Sequence, residues 1–121
     1  MAEDKLPNYL LSHRKKTGLS QDELAWLMGC ETGAKIWRYE HCVFKPQLEA
    51  VLAYEILFRV PARELFGGIF EAVHEITLRR VQTLIKRLEA GPMNQATAAK
   101  LTALRAIAET KATKSRTKGH E

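Results

Sequence analysis

The stretch LSQDELAWLMGCETGAKIWRYE, Leu19 to Glu40, constrains this chain more than any other, because its local signals predict two short helices joined by a tight turn. Ser20 with Glu23 three residues on is a capping box: hydroxyl and carboxylate each take a backbone donor that the first turn leaves unpaired. A helix is therefore predicted from Gln21. Leu24, Ala25 and Met28 follow on one side of it, and Gly29 supplies the permissive backbone at which it stops. In the second helix, stepping about 100° per residue, Ile36 shares a side with Tyr39, Glu40 and Thr32. Ala34, Arg38 and His41 fall opposite, with Lys35 and Trp37 flanking them. Such a helix buries Ile36 and Tyr39 and turns Ala34, Lys35 and Arg38 outward. Gly33 costs such a helix about 1 kcal/mol relative to alanine, which is read first as a left-handed turn residue and alternatively as a site of close backbone approach.

That outward set has a chemistry. Arginine and lysine suit guanine edges in the major groove, and alanine can touch a thymine methyl. The bland alternative is an amphipathic helix whose basic residues merely meet solvent. A resemblance bears on the choice. GLSQDELAWLMG, then Ile36-Trp37-Arg38-Tyr39-Glu40, then KPQLEAVLAYEILFRVPARELF resemble the Cro and phage-repressor type of helix-turn-helix family, over about Leu6 to Phe66. Its most specific pieces are Ser20-Gln21, the Ile36 to Glu40 spacing, Pro46 with Leu48, and Glu64-Leu65-Phe66. The resemblance implies a five-helix repressor-like DNA-binding domain with its helix-turn-helix; with the C-terminal helical hairpin read below from the spacing of the later residues, the expected fold class is all-α. It also implies that Gln21 braces the DNA backbone and that the segment from Thr32 to Arg38 reads the major groove. The expected DNA-facing set is Ser20, Gln21, Thr32, Ala34, Lys35, Trp37 and Arg38. Trp37 could press on a sugar or phosphate, wedge beside a base, or cover helix four, the reading preferred here.

The flanking segments are read coarsely. Pro7 suits a first helical turn, Leu6, Leu10 and Arg14 recur at four-residue spacing, and Gly18 closes this first helix. Arg14 is the expected partner of Glu40, which the helical wheel puts near the buried edge, where an unpaired carboxylate would be costly. The family resemblance implies the same pair. Pro46 opens a fourth helix whose apolar face is read as Leu48, Val51, Leu52 and Phe58. Glu55 shares that face and is read as a buried or half-buried partner of an arginine rather than a catalytic acid. Pro61 begins a short fifth helix that ends at Leu65 and Phe66. Gly67-Gly68 is expected to stop it and to bound the domain.

Ile69 to Ala90 reads as a long helix with Leu78, Val81, Ile85 and Leu88 in register, and Gly91-Pro92 breaks it. Asn94 can cap a second segment in which Thr97, Leu101, Leu104 and Ala108 repeat the spacing. The expected organisation is a DNA-binding domain over 1–68, a helical extension over 69–110 and a basic disordered tail over 111–121. The hairpin is a local cap or a dimer interface, with dimerisation preferred because such readers engage two half-sites about one DNA turn apart. The tail, with four basic residues against one acidic, is a solubilising end or a DNA arm.

Composition excludes several classes. The chain has 121 residues, 45% of them hydrophobic, and a formal net charge of +5, enough for one modest core and too few apolar residues in any one run for a membrane span. The start of the chain carries acidic residues and no signal-like apolar run, so a cytoplasmic location is expected. Cys30 and Cys42 are expected as reduced thiols. Their spacing from His13 and His41 gives no metal-ligand pair, so neither cofactor nor metal is expected. With no phosphate loop, catalytic triad or metal box, no enzyme activity and no small-molecule substrate are expected. Double-stranded DNA and a second copy of the chain are the expected partners, with no membrane. The alternatives are a protein-interaction module on the same fold, with Trp26, Leu27 and Trp37 as its contact residues, and an antitoxin-type regulator that also binds a partner protein.

Overall fold

A computed structural model describes the backbone of residues 6–120 and the side chains of residues 6–110. The stretch expected as a disordered basic tail over 111–121 differs in its backbone, which continues α7 as helix to His120; its side chains and residue 121 lie outside what is described. Among the described residues the chain is all-helical, with α1 Leu10–Thr17, α2 Gln21–Leu27, α3 Gly33–Glu40, α4 Leu48–Phe58, α5 Ala62–Leu65, α6 Gly67–Ala90 and α7 Gln95–His120. Two compact units divide it, Met1–Ala72 and Val73–Glu121. The division falls inside α6. The glycine pair expected to end the fifth helix instead opens α6, since glycine in a first turn leaves few side chains to clash with the preceding loop.

In the first unit Leu10, Leu24, Ala25, Ile36, Tyr39, Tyr54, Phe58, Leu65 and Phe66 form one core drawn from α1 to α5 and the residue after α5. The first helix starts later than expected. Pro7 precedes it, Leu6 is exposed, and the Asn8 side-chain oxygen accepts from the Leu10 N–H at 3.0 Å, so an asparagine rather than a proline sets the start. Gly18 closes α1 with φ +83°, in the left-handed region that glycine adopts without a Cβ penalty. The chain entering α1 is tied to the far end of the unit, because Tyr9 N–H donates to the Leu65 carbonyl at 2.7 Å and Gly68 N–H to that of Leu6 at 2.8 Å.

The fourth helix corrects the sequence reading most. Its apolar residues lie nearly all round, and the aromatic pair decides which side goes in: Tyr54 and Phe58 are buried, with Ala50, Val51 and Leu57 packed beside them. Leu48 and Leu52 therefore point outward with Ile56. Tyr54 is an aromatic hub, meeting Tyr39 and Phe66 edge-on at 6.2 and 6.4 Å and Phe58 at 5.5 Å. Glu55 is exposed rather than buried. Its carboxylate accepts from the Ala62 N–H at 3.2 Å and so satisfies a donor at the start of α5.

The Tyr54 hydroxyl is buried and has no hydrogen-bond partner among the described residues. Burial, with the Glu40 charge adding to it, pushes its ionisation well above the ordinary tyrosine range. Deleting an unpaired buried hydroxyl removes a desolvation cost without removing a bond. Tyr54→Phe is accordingly expected to leave the melting temperature unchanged or raise it, and a clear drop would mean that the hydroxyl has a partner.

In the second unit α6 and α7, joined by residues 91–94, bury Val81, Ile85 and Leu101, with Leu88, Leu104 and Ala108 packed against them. Asn94 caps α7 as expected, its side-chain oxygen accepting from Thr97 N–H at 2.8 Å. Arg105 and Glu89 bridge the two helices at 2.6 Å. No helix among the described residues is long and apolar enough to cross a membrane.

Candidate nucleic-acid interface

The site is built from α2 and α3 and the turn between them. The capping box forms as expected: Glu23 N–H donates to the Ser20 hydroxyl at 3.0 Å, and Ser20 N–H to the Glu23 carboxylate at 2.9 Å. Gly29, at φ +76°, lets the chain turn away after Met28. Thr32 then caps α3, its hydroxyl accepting from Ala34 N–H at 3.3 Å. Ser20 and Thr32 thus use an acceptor each on the fold.

Gly33 is where the two helices meet most closely. Its φ lies outside the left-handed region, so the turn-residue explanation fails. A Cβ added there would sit 2.5 Å from the Asp22 carboxylate and 3.0 Å from backbone atoms of Asp22 and Gln21. The bare backbone allows Gly33 N–H to donate to the Asp22 carboxylate at 2.9 Å, which locks the start of α3 onto the start of α2. Gly33→Ala gains helix propensity yet must push the helices apart against backbone atoms. It is expected to lower the melting temperature, and a gain in stability would refute the close approach.

The inner face of α3 is fixed by Ile36, Tyr39 and Glu40, all buried. Glu40 is held from two sides: Arg14 donates to its two oxygens, Nε at 2.6 Å and Nη2 at 3.3 Å, and Gln21 Nε2 donates at 3.0 Å. A further Arg14 nitrogen donates to the Leu19 carbonyl at 3.0 Å. The expected Arg14–Glu40 pair is present, and the carboxylate side chain is fully shielded from solvent. Gln21 joins it. That contact was not foreseen from spacing, because it needs the start of α2 and the end of α3 to be neighbours.

The outer face carries Ala34, Lys35, Trp37 and Arg38, all exposed, as is Thr32. The end of α3 orients Arg38: its carbonyl accepts from Val43 N–H at 2.8 Å, and that of Tyr39 from Cys42 N–H at 3.2 Å, a Schellman turn with Cys42 at φ +62° where glycine is usual. The returning loop brings the Phe44 ring 5.4 Å below the Arg38 guanidinium, a stacking that steadies the cation while leaving it exposed. Trp37 finds its ring partner in His41, with centroids 4.1 Å apart, one turn along α3. Beside Lys35 and Arg38 an open cleft of about 550 Å³ is lined also by Glu31, Gln47 and Glu49. The structure thus brings Thr32, Ala34, Lys35, Trp37 and Arg38 onto one short helix and its cap, and ties Ser20 and Gln21 to the helix beside it. Phe44 and Asn8 are additions that the sequence did not single out. Asn8 Nδ2 donates to the Tyr39 carbonyl at 3.0 Å and so supports the end of α3 from the segment before α1.

The chain matches no protein-family model, no curated protein and no solved structure.

Proposed function

We propose that this protein is a sequence-specific DNA-binding regulator of transcription, with a helix-turn-helix formed by α2 and α3, and that it acts as a repressor by occupying a promoter. One observation carries the reading: α3 has its apolar side and its carboxylate locked inward while Lys35 and Arg38 are exposed on the outer side, with Ala34 one turn before Arg38. A helix with this division can enter a major groove and offer two cations and a small side chain to base edges. Gln21, anchored by one amide donor on Glu40, keeps its remaining amide capacity for a phosphate. The first unit then corresponds to the repressor-like domain that the sequence resembles, and no catalytic step is assigned to it. Arg38→Ala is expected to weaken binding to a selected site by about 1–3 kcal/mol and to relax preference at one base position. Equal loss on every sequence would make Arg38 a phosphate contact only, and no loss would remove α3 from the interface.

One observation favours a second reading. Trp26 on α2 is 79% exposed, with Leu27 beside it also exposed, which suits a protein-interaction module or an antitoxin-type regulator that holds a partner protein as well as DNA. Trp26→Ala should leave DNA retention intact in either case. Loss of a protein partner in that variant is the result this reading requires.

A further inference from the structure

Two apolar surfaces remain uncovered, one on each unit. On α4 the row Leu48, Leu52 and Ile56, at four-residue spacing, lies along the outside of the helix. Stepping about 100° per residue, Glu55 and Glu49 flank that row on its two sides, and the exposed Arg59, which caps the end of α4, follows in line beyond Ile56.

In the second unit the same stepping sorts the side chains of the hairpin into two faces. Val73, Ile76, Arg80, Leu84 and Arg87 of α6 fall to one side of the Val81–Ile85 seam. Because α7 runs back along α6, its Ala96, Lys100, Ala103 and Ile107 fall to that same side of the Leu101 seam. The Arg105–Glu89 bridge marks the other side. Glu75 and Glu109 lie there too, so every acidic residue from 73 to 110 is on the bridged face. The uncovered face carries apolar residues with Arg80, Arg87 and Lys100 and no acid. Val73, Ile76, Leu84 and Ile107 on it are all exposed.

We propose that the protein pairs with a second copy of itself by seating the outer row of α4 from one copy on this basic, apolar face of α6 and α7 from the other, each copy giving and receiving the contact. Charge selects this occupant. Pairing the hairpin face with its own copy would gather the Arg80, Arg87 and Lys100 cations of both copies into one contact with no acid on either side, and like charges across an interface oppose association. The α4 row brings leucine and isoleucine for the apolar positions, with Glu49 and Glu55 at its edges for the cations. A contact between two different surfaces closes into a finite dimer when a two-fold axis repeats it. The inference goes beyond the proposed function: it adds a second copy of the chain as a partner and names the surfaces that would form the dimer.

The test is complementation between two full-length variants, Leu52→Glu on α4 and Ile76→Glu on α6, at positions 48% and 49% exposed and so tolerant of a charge in the monomer. Circular dichroism checks their helicity. A variant that loses it is replaced by Leu48→Glu or Val73→Glu, which are still more exposed. Sedimentation equilibrium without DNA is expected to show a wild-type dimer, and each variant with a dissociation constant raised at least about tenfold. An equimolar mixture of the two variants is expected to form heterodimers more readily than either variant self-associates, since one of the two contacts is then intact. A monomeric wild type, a Leu52→Glu variant that dimerises normally, or a mixture no better than its components would overturn the proposal. A monomer that still selects one DNA sequence would do so while sparing the DNA-binding reading. A complementing dimer that selects no DNA would do the reverse.

Discussion

Glu40→Ala is expected to lower the unfolding free energy by about 3–5 kcal/mol, because it strands a cation that the fold has taken out of water. Arg14 is 12% exposed in its side chain and spends two of its donors on Glu40. Without the carboxylate those donors face a cavity, and the Gln21 amide loses its acceptor as well. Removing both ends of the clamp should cost less than removing one, so Arg14→Met combined with Glu40→Leu should recover part of the loss. Denaturant unfolding of the two variants measures this. A single-variant loss below about 1 kcal/mol, the range of an exposed pair, would show that the clamp is solvated.

Ile36→Ala is expected to cost about 2–5 kcal/mol for a different reason: the side chain is wholly buried in the first core, and its removal leaves a cavity that the surrounding helices fill only in part. Ile36 sits on the opposite side of α3 from the outward set, between Lys35 and Trp37 in sequence. DNA retention should therefore fall in step with stability as temperature rises, and should approach the wild-type level where the variant is still folded. A melting temperature equal to that of the wild type would mean that the wrong side of α3 has been assigned to the core.

The sequence displayed α2 and α3 clearly because their signals are local. A capping box, a stop glycine and a 3.6-residue apolar rhythm all act within one or two turns. The Arg14–Glu40 pair was legible for a related reason, since a carboxylate on a buried face demands a cation. What the sequence concealed depends on competition between faces. In α4 apolar residues cover nearly the whole circumference, so rhythm grouped Leu48 and Leu52 with Val51 and Phe58 and passed over Tyr54; the larger aromatic surface, with three ring neighbours for Tyr54, went inward and turned Leu48 and Leu52 out. Gly33 was misread because its cause lies eleven residues away in Asp22, beyond the reach of a local pattern. Gly67-Gly68 was misread because the same pair can end one helix or open the next. At the candidate site, exposure of Lys35 and Arg38 followed from periodicity, whereas the Phe44 platform under Arg38 required the returning loop to be in place.

Whether α3 offers Lys35 and Arg38 to a duplex is tested most directly by selection of bound fragments from a random double-stranded DNA pool. The wild-type chain is expected to enrich one sequence, arranged as two inverted half-sites about one helical turn apart. Enrichment of no sequence over the starting pool, or the same enriched sequence from a chain carrying both Lys35→Ala and Arg38→Ala, would contradict it.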